Sequence, residues 1–176
     1  MNRIVLITGG ARSGKSAFAQ DYAEAQTGDR LYIATSPPGL DAEMGGRISR
    51  HQEERRGRGW QTVEEEVDTA AVIKQAAARA VILLDCLTMW VSNLQWRGMA
   101  VDEAGISAHC AKLITVCQRR EGVVVLVSGE VGCGIVPEKA AVRMYRDMLG
   151  RCNQLLGAAA HEVYFVSCGI PLRIKG

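Results

Sequence analysis

Eight residues constrain this chain more than any others. Gly9-Gly10-Ala11-Arg12-Ser13-Gly14-Lys15-Ser16 follows the pattern G-x-x-x-x-G-K-[ST], directly after the apolar run Ile4 to Thr8 and directly before Ser16 to Gln26, which has helical spacing. A strand that turns through glycines into a helix points backbone N–H groups inward, and the helix N-terminus adds the positive end of its dipole. Such a loop holds phosphate oxygens. Lys15 would reach the β- and γ-phosphates and the Ser16 hydroxyl would sit on Mg²⁺. The plain alternative is a glycine turn carrying a surface lysine, and the flanking strand and helix argue against it.

Five runs rich in β-branched residues punctuate the sequence: Ile4 to Thr8, Leu31 to Thr35, Val81 to Leu87, Val123 to Ser128 and Val163 to Ser167. They are nearly continuous in hydrophobicity, as strands covered on both faces of a parallel sheet are. Helical spacing occupies Ser16 to Gln26, Asp41 to Arg56, Ile106 to Arg120 and Glu138 to Ala160, so the expected class is α/β with right-handed crossovers. Trp60 to Glu64 suits one further short strand. Gly169-Ile170-Pro171 breaks the chain before Leu172 and Ile174 alternate with charge, the pattern of a short antiparallel edge strand. The length of 176 residues suits one domain over 1–176, with no repeat or linker.

A phosphate loop needs an acid at the end of a nearby strand to hold the metal's water shell or take a substrate proton. Asp85 ends Val81-Ile82-Leu83-Leu84 and is the candidate; its alternative use is to cap a helix beginning near Thr88. A second constellation lies in Glu43 to Arg55. If helical, it sets Arg47, His51 and Arg55 at successive i, i+4 positions, with Met44 and Ile48 on another face. Two guanidiniums beside an imidazole disfavour its protonation and leave it nucleophilic, while neutralising a phosphate brought next to it. Gly45-Gly46 offers a place for this helix to bend. A solvated polar face with one histidine is the plain reading. His109, on an amphipathic helix, and His161, before a strand, have no partner near in sequence.

Several classes of function are disfavoured. The net charge is +2, and the one dense basic stretch, Arg47 to Arg58, contains Glu53 and Glu54, so a nucleic-acid partner is not expected. The six cysteines, at 86, 110, 117, 133, 152 and 168, show no CxxC spacing, which suits reduced, mostly core residues of a cytoplasmic protein. No apolar run is long enough to span a bilayer.

With these residues located, the chain resembles the bifunctional adenosylcobinamide kinase / adenosylcobinamide-phosphate guanylyltransferase family of cobalamin biosynthesis. The resemblance runs nearly end to end through Thr8 to Ser16, Tyr32 to Ser36, Glu43-Met44 with Arg47-Ile48 and His51, and Trp60 with Thr62 and Glu64. It continues through Asp85 to Thr88, Glu130 to Gly132 with Gly134 to Glu138, and Gly150-Arg151 with Asn153-Gln154. It implies a RecA-like P-loop NTPase fold, mostly parallel with helices on both faces, and a homotrimer with the corrinoid in clefts between subunits. It also implies two reactions. An NTP, ATP or GTP, phosphorylates adenosylcobinamide; GTP then gives GMP to a histidine, and the phosphorylated corrinoid takes it up as adenosylcobinamide-GDP. His51 matches the guanylylated histidine, and with Lys15 and Asp85 makes the catalytic set. The family's GTP contacts carry over to Gly9, Gly10, Ala11, Arg12, Ser13, Gly14, Lys15, Ser16, Ala34, Thr35, Ser36, Gln52, Glu53, Glu54, Arg55, Glu64 and Asp85, with Mg²⁺ at Ser16 and Asp85.

The chain departs from the family where Gly129 replaces an asparagine common in Ser/Thr-Asn-Glu-Val-Gly, and where Asp85 stands for a glutamate found in some members. Two alternatives remain open on the residues alone. One is a small-metabolite kinase without a covalent step; the other is a regulatory GTPase or nucleotide-dependent binding module, against which stands the absence of an Asn-Lys-x-Asp guanine motif.

Overall fold

The computed structural model describes residues 2–37, 46, 53 and 55–176. Its frame is a seven-stranded sheet built from β1 (Asn2–Gly9), β2 (Arg30–Ala34), β3 (Trp60–Glu64), β4 (Val81–Asp85), β5 (Gly122–Gly129), β6 (Glu162–Ser167) and β7 (Ile170–Lys175), in the order β3-β2-β4-β5-β1-β6-β7. Every pairing is parallel except that of β6 with β7, which closes the edge as a hairpin. The central strands explain the unbroken apolar runs: the last six residues of β1 and of β5 are all buried, because helices cover both faces.

The described helices are α1 (Lys15–Glu24), α2 (Thr69–Gln75), α3 (Leu87–Trp96), α4 (Glu103–Arg119) and α5 (Ala140–Ala159). Alternation along the strands sorts the core into two layers. Val5, Ile7, Leu83, Val125 and Val127 face Ala19 and Ala23 of α1. Ile4, Leu6, Ile82, Leu84, Val124 and Leu126 face the larger layer, filled by Ile73, Trp90, Leu94, Ile106, Leu113, Met148 and Leu156 from the other four. Asp68 and Asp102 cap α2 and α4 by accepting from Ala71 N–H and Gly105 N–H.

One run differs in kind from the sequence expectation. The run Val81 to Leu87 is not one strand: β4 ends at Asp85 and Leu87 opens α3. A buried helix start is as apolar as a buried strand, so hydrophobicity alone does not separate them. The expected helix Asp41 to Arg56 lies largely outside the described residues, although Gly46, Glu53 and Arg55 are helical. Cys110, Cys117 and Cys152 are buried and Cys86 partly so, whereas Cys133 and Cys168 are exposed; all six are free thiols.

Candidate nucleotide site

The glycine loop leaves the C-terminal end of β1 and enters α1, and the sheet holds it from both sides. Glu130 N–H, beyond β5, donates to the Gly9 carbonyl (3.0 Å), and Gly169 N–H, in the β6–β7 turn, donates to the Ser13 carbonyl (2.8 Å). The Gly10 carbonyl accepts from Ser13 N–H (3.3 Å) and from the Lys15 ammonium (3.3 Å). Carbonyls at Gly9, Gly10 and Ser13 are thus engaged. The first helical bond onto the loop is Phe18 N–H to the Gly14 carbonyl (3.0 Å), so the amides just ahead of Phe18 have no acceptor within their own helix.

Two glycines make this path possible. Gly14 precedes α1 in the left-handed region at φ 95°, and a Cβ there would lie 3.1 Å from Gly169 Cα. A Cβ on Gly9 would fall 2.4 Å from the Val166 carbonyl oxygen and 2.7 Å from Ser13 Oγ, whereas one on Gly10 would meet nothing within 4 Å. Ser13 Oγ is buried and has no hydrogen-bond partner among the described residues. A narrow cradle with an unsatisfied hydroxyl suits phosphate oxygens as the missing acceptors.

The acidic candidates line up by register. Ala34 pairs with Glu64 on one side and Asp85 on the other, so these three end their strands in one row. That row shares the loop's edge of the sheet, but β5 stands between β4 and β1. The bend after Ala34 is pinned over the row: Thr35 Oγ1 donates to the Cys86 carbonyl (2.7 Å) and accepts from Cys86 N–H (2.8 Å), and Asn93 Nδ2 donates to the Thr35 carbonyl (2.8 Å). Ser36 Oγ is a second buried hydroxyl without a partner among the described residues.

Asp85 does not cap α3. Its N-cap position is Cys86, with no side-chain capping bond, and Asp85 Oδ2 instead accepts from the Tyr32 hydroxyl at 3.0 Å. Burial and then the Asp85 charge push the Tyr32 phenol well up from its ordinary range. The same two causes raise the Cys86 thiol to about 11.

Sequence reasoning missed three supporting side chains: Tyr32, Asn93 and Asn153. Asn153, on α5, accepts from Ser128 Oγ (2.5 Å) and donates to the Gly129 carbonyl (3.1 Å), fixing the end of β5 beside the phosphate loop. Gly129 N–H donates to Thr88 Oγ1 (2.7 Å), and a Cβ on Gly129 would come within 2.9 Å of that oxygen. Close packing with Thr88 therefore goes with the glycine at this position. The signals available were the Tyr32 to Ser36 and Asn153-Gln154 blocks, which carry no spacing rule of their own, and Asn93 stood in no block.

Of the histidine-bearing segment, Arg47, His51, Gln52 and Glu54 lie outside the described residues, as does Gly45. Glu53 is exposed and pairs with Arg56 (3.0 Å). Arg55 is buried, and its guanidinium carbon lies 3.6 Å from the centre of the Tyr32 ring. An open cleft of about 890 Å³ beside edge strand β3 is lined by Glu53, Arg55, Arg56, Trp60 and Thr62. The glycine loop lies away from this cleft, its strand β1 standing four positions across the sheet from β3.

His161 and His109 serve local structure. His161 Nδ1 accepts from Ile4 N–H (3.0 Å) while its own backbone N–H donates to the Ile4 carbonyl (2.8 Å), and the His109 ring lies edge-on to Trp90. Among the described residues no group of three or more His, Cys, Asp or Glu could hold a metal ion by itself. No described helix is long and apolar enough to cross a membrane.

Comparison with known proteins joins these parts. The chain superposes on a solved ATPase domain with a TM-score of 0.54 at 14% identity, over 93% of this chain and 69% of that one. The fold is accordingly RecA-like. It is 44% identical over 187 residues to the bifunctional adenosylcobalamin biosynthesis protein CobU of Escherichia coli (98% of this chain, 99% of that one). It is 45% identical to the CobU protein of Salmonella typhimurium, with the same coverage. The bifunctional adenosylcobalamin biosynthesis protein CobP of Pseudomonas aeruginosa is 38% identical over 97% of this chain and 96% of its own length. Residues 5–174 match the family model described as cobinamide kinase / cobinamide phosphate guanyltransferase, and the chain is an enzyme belonging to that family.

Proposed function

We propose that this enzyme phosphorylates adenosylcobinamide with ATP or GTP and then transfers GMP from GTP through a histidine intermediate to give adenosylcobinamide-GDP. The observation that carries the reading is the glycine cradle, whose carbonyls are tied to residues just past β5 and β6 and whose amides ahead of Phe18 have no acceptor within their helix, on the sheet edge where Asp85 ends β4.

In the kinase step the corrinoid's hydroxyl oxygen attacks the γ-phosphorus, the bond to the bridging oxygen breaks, and Asp85 receives the hydroxyl proton. Lys15 and the loop amides hold the charge that develops on the departing diphosphate. In the transfer step an imidazole nitrogen of His51 attacks the α-phosphorus of GTP, a P–N bond forms and pyrophosphate leaves. A phosphate oxygen of the phosphorylated corrinoid then attacks the same phosphorus and the P–N bond breaks. Arg55 belongs to the segment that brings His51 to the nucleotide, and Gln52, Glu53, Glu54 and Glu64 are assigned to it on family grounds.

The donor set suits Mg²⁺, which keeps several waters and needs only one or two protein oxygens. Ser16 would hold it directly and Asp85 through its water shell. Among the described residues the Asp85 carboxylate receives one hydrogen bond, on Oδ2. When bound, the ion would supply positive charge against the nucleotide's phosphates. We further propose a cytoplasmic homotrimer with the corrinoid between subunits.

Separating the two half-reactions tests the reading. His51→Ala should still phosphorylate adenosylcobinamide with ATP and should make no adenosylcobinamide-GDP, while Lys15→Ala should lose both. Normal adenosylcobinamide-GDP synthesis by His51→Ala would overturn the covalent step and leave a simple kinase.

A further inference from the structure

Tyr32 has no assigned part in the reactions above, yet it touches two residues that do. It is almost fully buried in the middle of β2, paired with Leu83 of β4 on one side and Thr62 of β3 on the other. Asp85 lies two residues beyond Leu83, on the same face and within the diagonal reach of a long aromatic side chain. The phenol donates to Asp85 Oδ2. The opposite diagonal neighbour, Trp60, meets the ring edge-on, with centroids 6.1 Å apart and planes at 89°. The Arg55 guanidinium covers the ring at 3.6 Å, a cation–π contact in a largely desolvated position.

The chain just after Arg55 is fixed separately. Trp60 Nε1 (2.7 Å), Arg58 (2.5 Å) and Gln20 Nε2 (3.1 Å) all donate to the Glu24 carboxylate at the end of α1, the helix that the phosphate loop begins. Arg30 adds a bond from its guanidinium to the Arg58 carbonyl (2.7 Å) and another to the Glu24 carbonyl (3.1 Å). The turn at 56–59 is therefore held against α1, and the Tyr32 ring sets the residue on its N-terminal side.

We propose that Tyr32 is a positioning residue for both half-reactions: its ring seats Arg55, and with it the C-terminal end of the His51-bearing segment, while its hydroxyl orients the Asp85 carboxylate. This rests on the assignment of His51 as the residue that takes GMP. The two functions are separable, because the ring face and the hydroxyl serve different partners.

The test uses Tyr32→Phe, Tyr32→Leu, Arg55→Met and the double variant Tyr32→Leu/Arg55→Met in the full chain. Three readouts are taken: single-turnover labelling of the protein by GTP carrying label on the α-phosphate, hydrogen exchange of the Arg56 and Arg58 amides, which bond to the Glu53 and Arg55 carbonyls, and the Mg²⁺ concentration that half-saturates the kinase step. Tyr32→Leu and Arg55→Met should each slow labelling about tenfold and speed exchange about tenfold, with the double variant no worse than either single one. Tyr32→Phe should change labelling and exchange less than about threefold yet raise the Mg²⁺ requirement about tenfold.

If Tyr32→Leu does not fold, Arg55→Met and Tyr32→Phe decide between them, since the first leaves the core intact and the second keeps the ring. Wild-type labelling and exchange in Arg55→Met overturn the seating role, and an unchanged Mg²⁺ requirement in Tyr32→Phe overturns the orienting role. Should wild-type protein take no label at all, the histidine intermediate fails, while exchange and Mg²⁺ dependence still judge Tyr32.

Discussion

Replacing Gly9 by alanine asks whether the phosphate loop is shaped by the sheet or by its own residues. The added Cβ would lie 2.4 Å from the Val166 carbonyl oxygen and 2.7 Å from Ser13 Oγ. Carbon and carbonyl oxygen do not settle closer than about 3.3 Å, so the loop or β6 must give by nearly 1 Å. Neither moves freely: β1 lies between β5 and β6 in continuous parallel register, and Gly9 itself pairs with both Gly129 and Val166. Overpacking of this kind costs about 1–3 kcal/mol, which at this chain length lowers the melting temperature by about 2–12 °C. A displacement of about 1 Å at the loop should also reduce the kinase rate about a hundredfold. Gly10→Ala is the control. Its Cβ meets nothing within 4 Å, so stability should change by less than about 0.5 kcal/mol. Thermal melting with single-turnover phosphorylation at saturating nucleotide reads both effects. A Gly9→Ala protein that melts and reacts like the parent, or a Gly10→Ala protein as damaged as Gly9→Ala, would show that β6 does not shape the loop.

Asn93→Ala removes the donor shared by the Thr35 and Glu66 carbonyls and should cost about 2–4 kcal/mol in urea unfolding; Asn93→Asp, which sets a carboxylate against a carbonyl pair, should cost more. His161→Leu deprives the Ile4 N–H of its acceptor and should cost about 1–3 kcal/mol with nucleotide affinity unchanged, whereas His161→Asn, which keeps an acceptor, should recover part of the loss. Alkaline pH should also destabilise the fold. Burial raises the Cys86 thiol to about 11 and the Cys117 thiol to about 12 from an ordinary 9.0, so the stability they contribute is complete below pH 9 and is lost as unfolded thiols ionise above it. Urea midpoints at pH 8 and pH 10.5 should show the fall, and Cys117→Ala should lessen it.

The phosphate loop was legible because its chemistry dictates its residues: backbone can approach phosphate only through glycines, and the lysine and serine follow at fixed offsets. The central strands were legible because burial on both faces leaves unbroken apolar runs. The edge strands could be read for different reasons, β7 from the Gly-Ile-Pro break and β3 from a short run ending at Glu64. What the sequence hid was mostly the order of strands. Nothing in Val123 to Ser128 says that β5 inserts between β4 and the loop's strand, because spatial order is a tertiary choice among equally apolar runs. The junction at Tyr32 was hidden too. A tyrosine in an apolar strand reads as core, and its hydroxyl finds Asp85 only when β2 and β4 pair in this register. Arg55 read as one of two cations beside His51, and the structure gives its guanidinium an aromatic ring to cover.

A histidine that takes GMP from nucleotide held on the glycine loop, as proposed, should carry it as a covalent adduct. Intact-protein mass spectrometry after incubation with GTP and Mg²⁺ tests this most directly. The expected result is a mass gain of one GMP per chain, labile to acid, mapping to His51 and missing in Lys15→Ala. A protein whose mass does not change under these conditions, or whose GMP maps to a residue other than His51, would contradict it.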